Sequence, residues 1–554
     1  MKPIQGPHLP SVLSSFASII VLAACCSAPD ARLTRIDPFE KVLPESSWLH
    51  EYTEIEDVAA GENAVFQFAL RSVSDMKDVK LEVSALKNSE GNSIDDVRVG
   101  FVDFVHVGRT TPDPARDAIR SATLMYPDPI CDDSRPRDIP GGKTQPLWVS
   151  VKVPREAAPG IYSGEVSVKG KGISLKGSFS LKVWDVVLEE PMLDVTNWFR
   201  SDEKAFRFFS KDGEMGSEAY WEYIRAVARQ MKECHQNTVM VPVSAITSRT
   251  GDEGFEFDFS NFDQMVGIFM EEGVLKRLEV SHIGGRMSDW SSQFGVKVPG
   301  QEKLLPIENP EARSYYAAFI PALNAHLEEK GWDSIYCQHI ADEPTRDNYQ
   351  SYIAIARFVK SLAPKTKIIE ACHSHNLADV VDIWVPQLNF YADDYDFYCE
   401  RQALGDEVWF YTCLAPQGNY ANRFIEQPLL KTRLLHWIGF RYGATGYLHW
   451  GLNAWRVDNP WYETTGINTE SGNVLPGGDC WIVYPGQGRL YGSIRLEAMR
   501  DGVADYTLLK MLERKDPALA KEICRQTVYG WTTYDMSADH FRTARRAILQ
   551  ALCE

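Results

Sequence analysis

Two rhythms of apolar and polar positions divide this chain. Over residues 34–190 the stretches NAVFQFALRSV, DVKLEVSAL, VRVGFVDFVHV, PLWVSVKVP, IYSGEVSVKG and ISLKGSFSLKVWDV alternate apolar with polar residues, with Gly, Pro and Asn between them. Alternation places every second side chain on one face, so each stretch predicts a half-buried strand. Many short strands at this spacing predict a β-sandwich. The run EEPM at 189–192 breaks the pattern and marks the expected domain boundary.

Beyond it, strand-like runs alternate with amphipathic stretches. LDVTNWF, TVMVPV, LEVSHIGG, SIYCQHIADEP, KIIEACHS, DIWVPQLNF, EVWFYTCLAP and GYLHWGLNAW read as strands, and SEAYWEYIRAVARQMKEC and EARSYYAAFIPALNAHLEEKG as helices. Eight such units in residues 191–456 predict a (β/α)8, TIM-like barrel. A doubly wound open sheet is the rival, weakened by the unit count and by the missing Gly-rich nucleotide turn. Residues 457–554 open on loops rich in Gly and Pro and close with helices, the last being SADHFRTARRAILQALC. The expected fold class is thus multidomain, all-β plus α/β: an N-terminal β-sandwich, a (β/α)8 barrel and a C-terminal helical extension packed on the barrel.

The first 25 residues stand outside this pattern. Lys2 precedes the apolar run SFASIIVLAACC, too short to cross a bilayer, and Leu22-Ala23-Ala24-Cys25 resembles a bacterial lipoprotein cleavage box. The expectation is an exported bacterial protein anchored by lipid on Cys25, at the outer membrane, the cell surface or in the periplasm, with no other membrane contact. The net charge of −18 argues against charge-driven binding to nucleic acid or anionic membrane. Apart from Cys25 and Cys26, the nine cysteines show no CxxC pair and no zinc spacing, and most read as buried thiols. No cofactor or metal is expected. PGQG at 485–488 lacks the Lys-Ser/Thr of a phosphate loop and reads as a turn. CHSH at 372–375 has no evident partner ligands, so its histidines read as hydrogen-bonded or sugar-binding.

The candidate chemistry sits in QHIADEPTRDN, residues 338–348, where Asp342 and Glu343 stand side by side before Pro344. Proline withholds a ladder donor and disfavours helical backbone before it, so the strand is expected to end here with Glu343 extended. Barrel enzymes place their chemistry where strands hand over to the following loops. Two carboxylates there point to glycosidic bond cleavage. Many barrel glycosidases add a nucleophilic Glu after strand seven, but here that strand ends in YTCLAP, without a carboxylate. Substrate assistance fills the gap: the carbonyl oxygen of a 2-acetamido group attacks the anomeric carbon. Asp342 would then orient the amide and balance its growing charge, and Glu343 would act as general acid/base.

Through AAGENAVFQFAL, HIADEP, GYLHWGLNAW, PGGDCWIVYPG and SIRLEAMRDGVADYTLL, the chain resembles glycoside hydrolase family 123, the exo-acting β-N-acetylgalactosaminidases, over most of its mature length. Ala341 stands where members of that family often carry serine. The resemblance implies a sandwich followed by a barrel. It also implies retaining, substrate-assisted removal of terminal β-linked N-acetylgalactosamine from glycans or glycolipids, with Asp342 and Glu343 in the roles above. Candidate sugar contacts fall at predicted strand ends: Trp198 on strand one, Asn389 and Tyr391 on strand six, Trp409 and Tyr411 on strand seven, and His449, Trp450, Asn453 and Trp455 on or after strand eight. Tyr391 is the candidate donor to the acetamide carbonyl. Asn389 and Asn453 are candidates because a buried amide needs partners that sugar hydroxyls supply. The tryptophans fit barrel filling equally well. Arg495, Glu497, Arg500 and Asp501 read as a structural network that docks the tail on the barrel. Two rivals stay open: a β-N-acetylglucosaminidase or hexosaminidase of the same mechanism, and an inactive glycan-binding lipoprotein.

Overall fold

The computed structural model describes residues 30–119, 125–251, 254–468 and 471–554; the first 25 residues, which the sequence predicts to be a leader ending at Cys25, lie outside the described residues. The alternating first region folds as a β-rich domain of two sheets. One orders Arg32–Ile36, Asn63–Arg71, Thr144–Lys152, Val97–His106 and Met125–Cys131. The other runs through Glu56–Ala60, Ile173–Val187, Gly160–Gly170, Met76–Val83 and Arg137–Ile139. Register fixes which residues face inward: Phe66 pairs with Val149 and Phe68 with Leu147. All four are buried in one core with Val166, Val168, Phe179 and Leu181 from the opposite sheet. Gly177 makes room there, since a Cβ would meet the Phe68 ring at 2.6 Å.

The second region is α/β with parallel strands. They are β1 (Asp194–Asn197), β2 (Thr238–Val241), β3 (Arg277–Val280), β4 (Tyr336–Gln338), β5 (Lys367–Ala371), β6 (Ile383–Val385), β7 (Glu407–Val408), β8 (Phe410–Tyr411) and β9 (Gly446–His449). They lie in two sheets, β1-β9-β8 and β2-β3-β4-β5-β6-β7, rather than in one closed ladder. β7 and β8 flank Trp409 in one run of chain. Pairing with β6 continues through it, since Trp409 N–H donates to Trp384 O at 2.8 Å and Tyr411 N–H to Pro386 O at 2.9 Å. Between β1 and β2, side-chain amides stand where ladder bonds would be. Val195 N–H donates to Asn237 Oδ1 at 2.9 Å, and Asn197 Nδ2 to Gln236 Oε1 at 3.1 Å.

Helices separate most of these strands. α1 (Glu203–Phe209) and α2 (Glu218–Glu233) follow β1, α3 (Ser260–Glu271) follows β2, α4 (Pro310–Lys330) follows β3 and α5 (Tyr349–Leu362) follows β4. α6 (Leu388–Asp393) and α7 (Tyr395–Ala403) follow β6, and α8 (Leu429–Tyr442) follows β8. Their ends obey local rules. Ser217 caps α2 by accepting from Tyr220 N–H, while Asn309 with Pro310 starts α4 and left-handed Gly331 stops it. Inward side chains of β4 to β9, including Cys337, Ile369, Ala371, Ile383, Val385, Trp409, Tyr411 and Leu448, form a compact cluster against which Trp198 packs.

The C-terminal part carries α9 (Ile494–Lys515), α10 (Pro517–Thr527) and α11 (Ala538–Cys553). Its charged network docks on the α/β region, where Arg495 Nη1 donates to Arg423 O at 3.0 Å and Asp501 pairs with Arg433 of α8 at 3.6 Å, and it reaches the β-rich domain as well. Arg495 makes a bidentate pair with fully buried Asp128, at 2.8 and 2.7 Å. Glu497 accepts from Trp148 Nε1 at 2.8 Å and from Ser150 Oγ at 2.6 Å. Arg545 on α11 joins Glu62 of the β-rich domain to Asp505 of α9. Both faces of α9 are therefore committed, which explains why nearly every residue from Ile494 to Leu509 is buried. Gly488 takes positive φ within the hairpin Tyr484–Gly486/Arg489–Tyr491, so PGQG is a turn.

Candidate active site

β4 ends at Gln338, four residues before the acid pair, and the chain then bends through residues 341–343. Glu343 is not extended, as Pro344 led one to expect: its φ is 47°, in the left-handed region. Such a backbone costs on the order of 1–3 kcal/mol at a non-glycine residue and persists only where neighbours over-determine it. Two contacts do so. Arg286 Nη2 donates to Glu343 O at 2.8 Å, and the Glu370 carboxylate of β5 accepts from Ile340 N–H at 2.9 Å and Ala341 N–H at 3.1 Å. The chain thus turns in the left-handed region at the acid pair rather than ending as a relaxed strand, and the Asp342 charge acts on Glu343.

Asp342 and Glu343 are each half-buried. Burial, and then the neighbouring Asp342 carboxylate, push the Glu343 carboxyl up to about 7. Tyr411, at the end of β8, donates its hydroxyl to Glu343 Oε1 and opposes that shift. Burial also raises Asp342, but His282 opposes it most strongly, with Arg286 and His339.

Beneath the pair lies a network that sequence reading missed. Fully buried Glu370 accepts at Oε1 from His282 at 3.0 Å and His339 at 3.1 Å, and at Oε2 from Tyr352 at 3.2 Å besides the two backbone donors. Burial works against its charge, yet the two histidines hold its carboxyl down to about 2. His339 lies between Glu370 and Glu279, 3.6 Å away, and these carboxylates outweigh burial to raise it to about 10. The one detectable signal was an acid inside the apolar run KIIEA, whose neighbours are all buried. The side-chain nitrogens of His282 and His339 and the Glu370 carboxylate lie within 4.8 Å of one another, the one set among the described residues that could hold a metal ion. Both histidines are already hydrogen-bonded to the Glu370 carboxylate.

The predicted contact residues divide. Tyr411 is at the acid pair, with Gln387 Nε2 donating to its oxygen at 3.4 Å. Trp198 packs edge-on against His282 and His339, each at 5.4 Å, with its indole N–H unpartnered. His449 is fully buried and its Nδ1 accepts from Gly451 N–H. Half-buried Trp450 donates to Asp479, a second carboxyl that burial pushes up to about 7.

Four expectations are corrected. Tyr391 and Asn389 do not end a strand: β6 stops at Val385, Pro386 follows, and both residues sit on α6. Tyr391 donates to Tyr442 O at 2.8 Å and packs on Tyr398 and Trp531, so its hydroxyl is committed away from the acid pair. Half-buried Asn389 has an unpartnered Oδ1. Trp409 is fully buried over Gly446, where a Cβ would lie 2.2 Å from the indole, and no sugar can reach it. Asn453 is satisfied by the protein itself: it accepts from Arg200 N–H and donates to Arg200 O and Tyr223 Oη. Trp455, likewise, is buried and donates to Val483 O. In the CHSH stretch, His373 stacks on Phe390 and His375 on Phe397.

Comparison with known proteins shows the family. A family model described as the glycoside hydrolase 123 catalytic domain matches residues 210–512, and one described as the glycoside hydrolase 123 N-terminal domain matches residues 39–170. The chain is similar in fold to a family 123 glycoside hydrolase from Clostridium perfringens, studied for glycolipid glycan hydrolysis. The TM-score is 0.73 at 20% identity, over 94% of this chain and 97% of that one. A Parabacteroides merdae β-glucuronidase (TM-score 0.31, 9% identity, 86% and 52% covered) and an endo-β-1,4-mannanase from Thermotoga petrophila (TM-score 0.35, 10% identity, 58% and 77% covered) are far more distant. No curated protein matches the chain.

Proposed function

The chain belongs to glycoside hydrolase family 123, and on that premise we propose that it is an exo-acting, retaining β-N-acetylgalactosaminidase that works by substrate assistance. The observation that carries this reading is the left-handed turn presenting Asp342 beside Glu343, the latter raised toward neutrality and held by Tyr411. In the first step the acetamide carbonyl oxygen of the terminal sugar attacks its anomeric carbon as the glycosidic C–O bond breaks. Glu343 protonates the departing oxygen. Asp342, as a carboxylate, accepts from the acetamide N–H and balances the charge of the forming oxazolinium ion. In the second step Glu343, now ionised, takes a proton from water as that water opens the ring at the anomeric carbon. Two displacements leave the β configuration unchanged.

Beneath the pair, Glu370 is a positioning residue: it holds the backbone of Ile340 and Ala341, and so the turn, without touching the sugar. Tyr411 engages the acid through its hydroxyl, and Tyr391, committed to Tyr442 O, does not serve the acetamide carbonyl. We also read the parallel strands as one (β/α)8 barrel and the two N-terminal sheets as a β-sandwich, with residues 34–190, 191–456 and 457–554 as units. Support for the barrel comes from the β6 pairing that runs through Trp409 and from the amide bridges between β1 and β2. The glycan or glycolipid end is the proposed substrate, and export with lipid on Cys25 the proposed location.

Chromogenic β-N-acetylgalactosaminide and β-N-acetylglucosaminide substrates separate the alternatives. Turnover of the first alone supports the galacto reading, turnover of both a hexosaminidase, and of neither a binding protein. NMR of the first-formed product should show the β-anomer, and thiazoline mimics of the oxazolinium ion should inhibit strongly. An α-anomer at early times would exclude substrate assistance.

A further inference from the structure

The hairpin of Gly284–Arg286 and Phe294–Val296, between β3 and α4, is locked onto the turn that bears the acid pair. Arg286 bridges them, donating through Nε to Trp290 O at 3.0 Å and through Nη2 to Glu343 O at 2.8 Å. Asn348 Nδ2 donates to the same Trp290 carbonyl at 3.2 Å, and Gln293 Nε2 to Asp347 O at 2.8 Å. The Arg286 guanidinium lies 3.6 Å from the Trp290 ring centroid and covers one face of the indole. Even so, Trp290 is 49% exposed and Met287, in the same hairpin, 46%. An indole with one face stacked, its backbone pinned and its other face in water is rigid and costs free energy to hydrate.

We propose that this hairpin is the leaving-group subsite, the open face of Trp290 stacking on the pyranose ring next to the cleaved bond. The inference rests on Glu343 as the acid. The atom that Glu343 protonates belongs to the leaving group, so that group lies beside the Glu343 turn, and the hairpin is fastened to that turn through Arg286. The patch suits a sugar ring rather than an acyl chain. Its apolar part is one ring face and one thioether, and exposed Ser288, Asp289 and Ser291 surround it as partners for hydroxyls. The CH-rich face of a pyranose covers an indole, whereas a lipid tail needs a longer apolar track.

The test compares an oligosaccharide ending in β-N-acetylgalactosamine linked to hexose with methyl β-N-acetylgalactosaminide, which has no second ring. In Trp290→Ala the ratio of kcat/KM for the oligosaccharide to that for the methyl glycoside should fall about tenfold, and Trp290→Phe should recover most of it. An unchanged ratio in Trp290→Ala overturns the inference. So does a loss confined to a ceramide-linked form of the same oligosaccharide, which would assign the ring to lipid. If the wild-type protein turns over neither substrate, the catalytic reading fails first. Calorimetric binding of the oligosaccharide to Glu343→Gln, with and without Trp290→Ala, then decides the platform by itself: affinity weakened about tenfold supports it, and equal affinity overturns it.

Discussion

The hydroxyl of Tyr411 meets the carboxylate of Glu343 across 68 positions of sequence, joining the end of β8 to the bend after β4. This contact ties the acid's proton affinity to a second strand. It stabilises the ionised form, while burial and Asp342 favour the protonated one.

The pH profile should report that balance. A general acid works while it holds its proton, so kcat/KM should fall as pH rises through about 7. Tyr411→Phe removes a bond to the carboxylate and should move this alkaline limb to higher pH. Asp342→Asn removes a like charge and should move it to lower pH. Profiles measured on a substrate with a poor leaving group check both signs, and shifts in the reverse directions would dissociate Glu343 from the limb.

Glu343→Gln should abolish hydrolysis of poor leaving groups and spare activated aryl glycosides more, since those need less protonation. Paired rate measurements on an alkyl and a dinitrophenyl glycoside decide it. Equal losses would count against the assignment.

Asp342→Asn keeps shape and loses charge. If Asp342 balances the developing oxazolinium ion, turnover should drop by ~10²–10³, in kcat more than in KM. Wild-type kcat in the purified variant would leave the adjacent pair without a mechanism.

Glu370→Gln should weaken the fold as well as the activity. It leaves two histidines without their shared carboxylate in a fully buried position, where removing one partner of an ion pair costs about 3–5 kcal/mol. Tyr352→Phe, which removes one neutral donor from the same ionised group, should cost less, about 1.5–3 kcal/mol. Urea denaturation of both variants beside the wild type gives the ranking, and an unaltered midpoint for Glu370→Gln would show the network to be dispensable.

The proposed export and anchoring are tested at the N-terminal segment. Cys25→Ala should move the protein from the membrane fraction to the soluble fraction of the host cell, as read by detergent partitioning. An unchanged membrane-bound fraction would remove the lipid anchor.

Local periodicity was enough for the elements. SEAYWEYIRAVARQMKEC became α2 and KIIEA became β5, because side-chain spacing of 3.6 or 2 is a property of neighbouring residues. Asp342 and Glu343 were legible for the same reason: two adjacent acids before a proline are conspicuous in one dimension. Asn389 and Tyr391 were misplaced by an error of boundary, since DIWVPQLNF reads as one apolar run and the chain leaves β6 at Pro386 to begin a helix. The backbone of Glu343 was misjudged because its conformation is imposed from outside. Arg286, 57 residues away, and Glu370, acting 29 and 30 residues back on Ala341 and Ile340, outweigh the local preference of a residue before proline.

The roles of Glu370, His339, Tyr411 and Arg286 belong to the folded chain for one physical reason. Charge and hydrogen bonding act over a few ångströms of space, and closely packed neighbours from β3, β4, β5 and β8 are far apart along the chain. Pattern alone therefore locates most strands and helices and singles out the adjacent acids. Packing decides which side chains share its environment, where its protons rest, and why Trp409 and Asn453 serve the protein's interior.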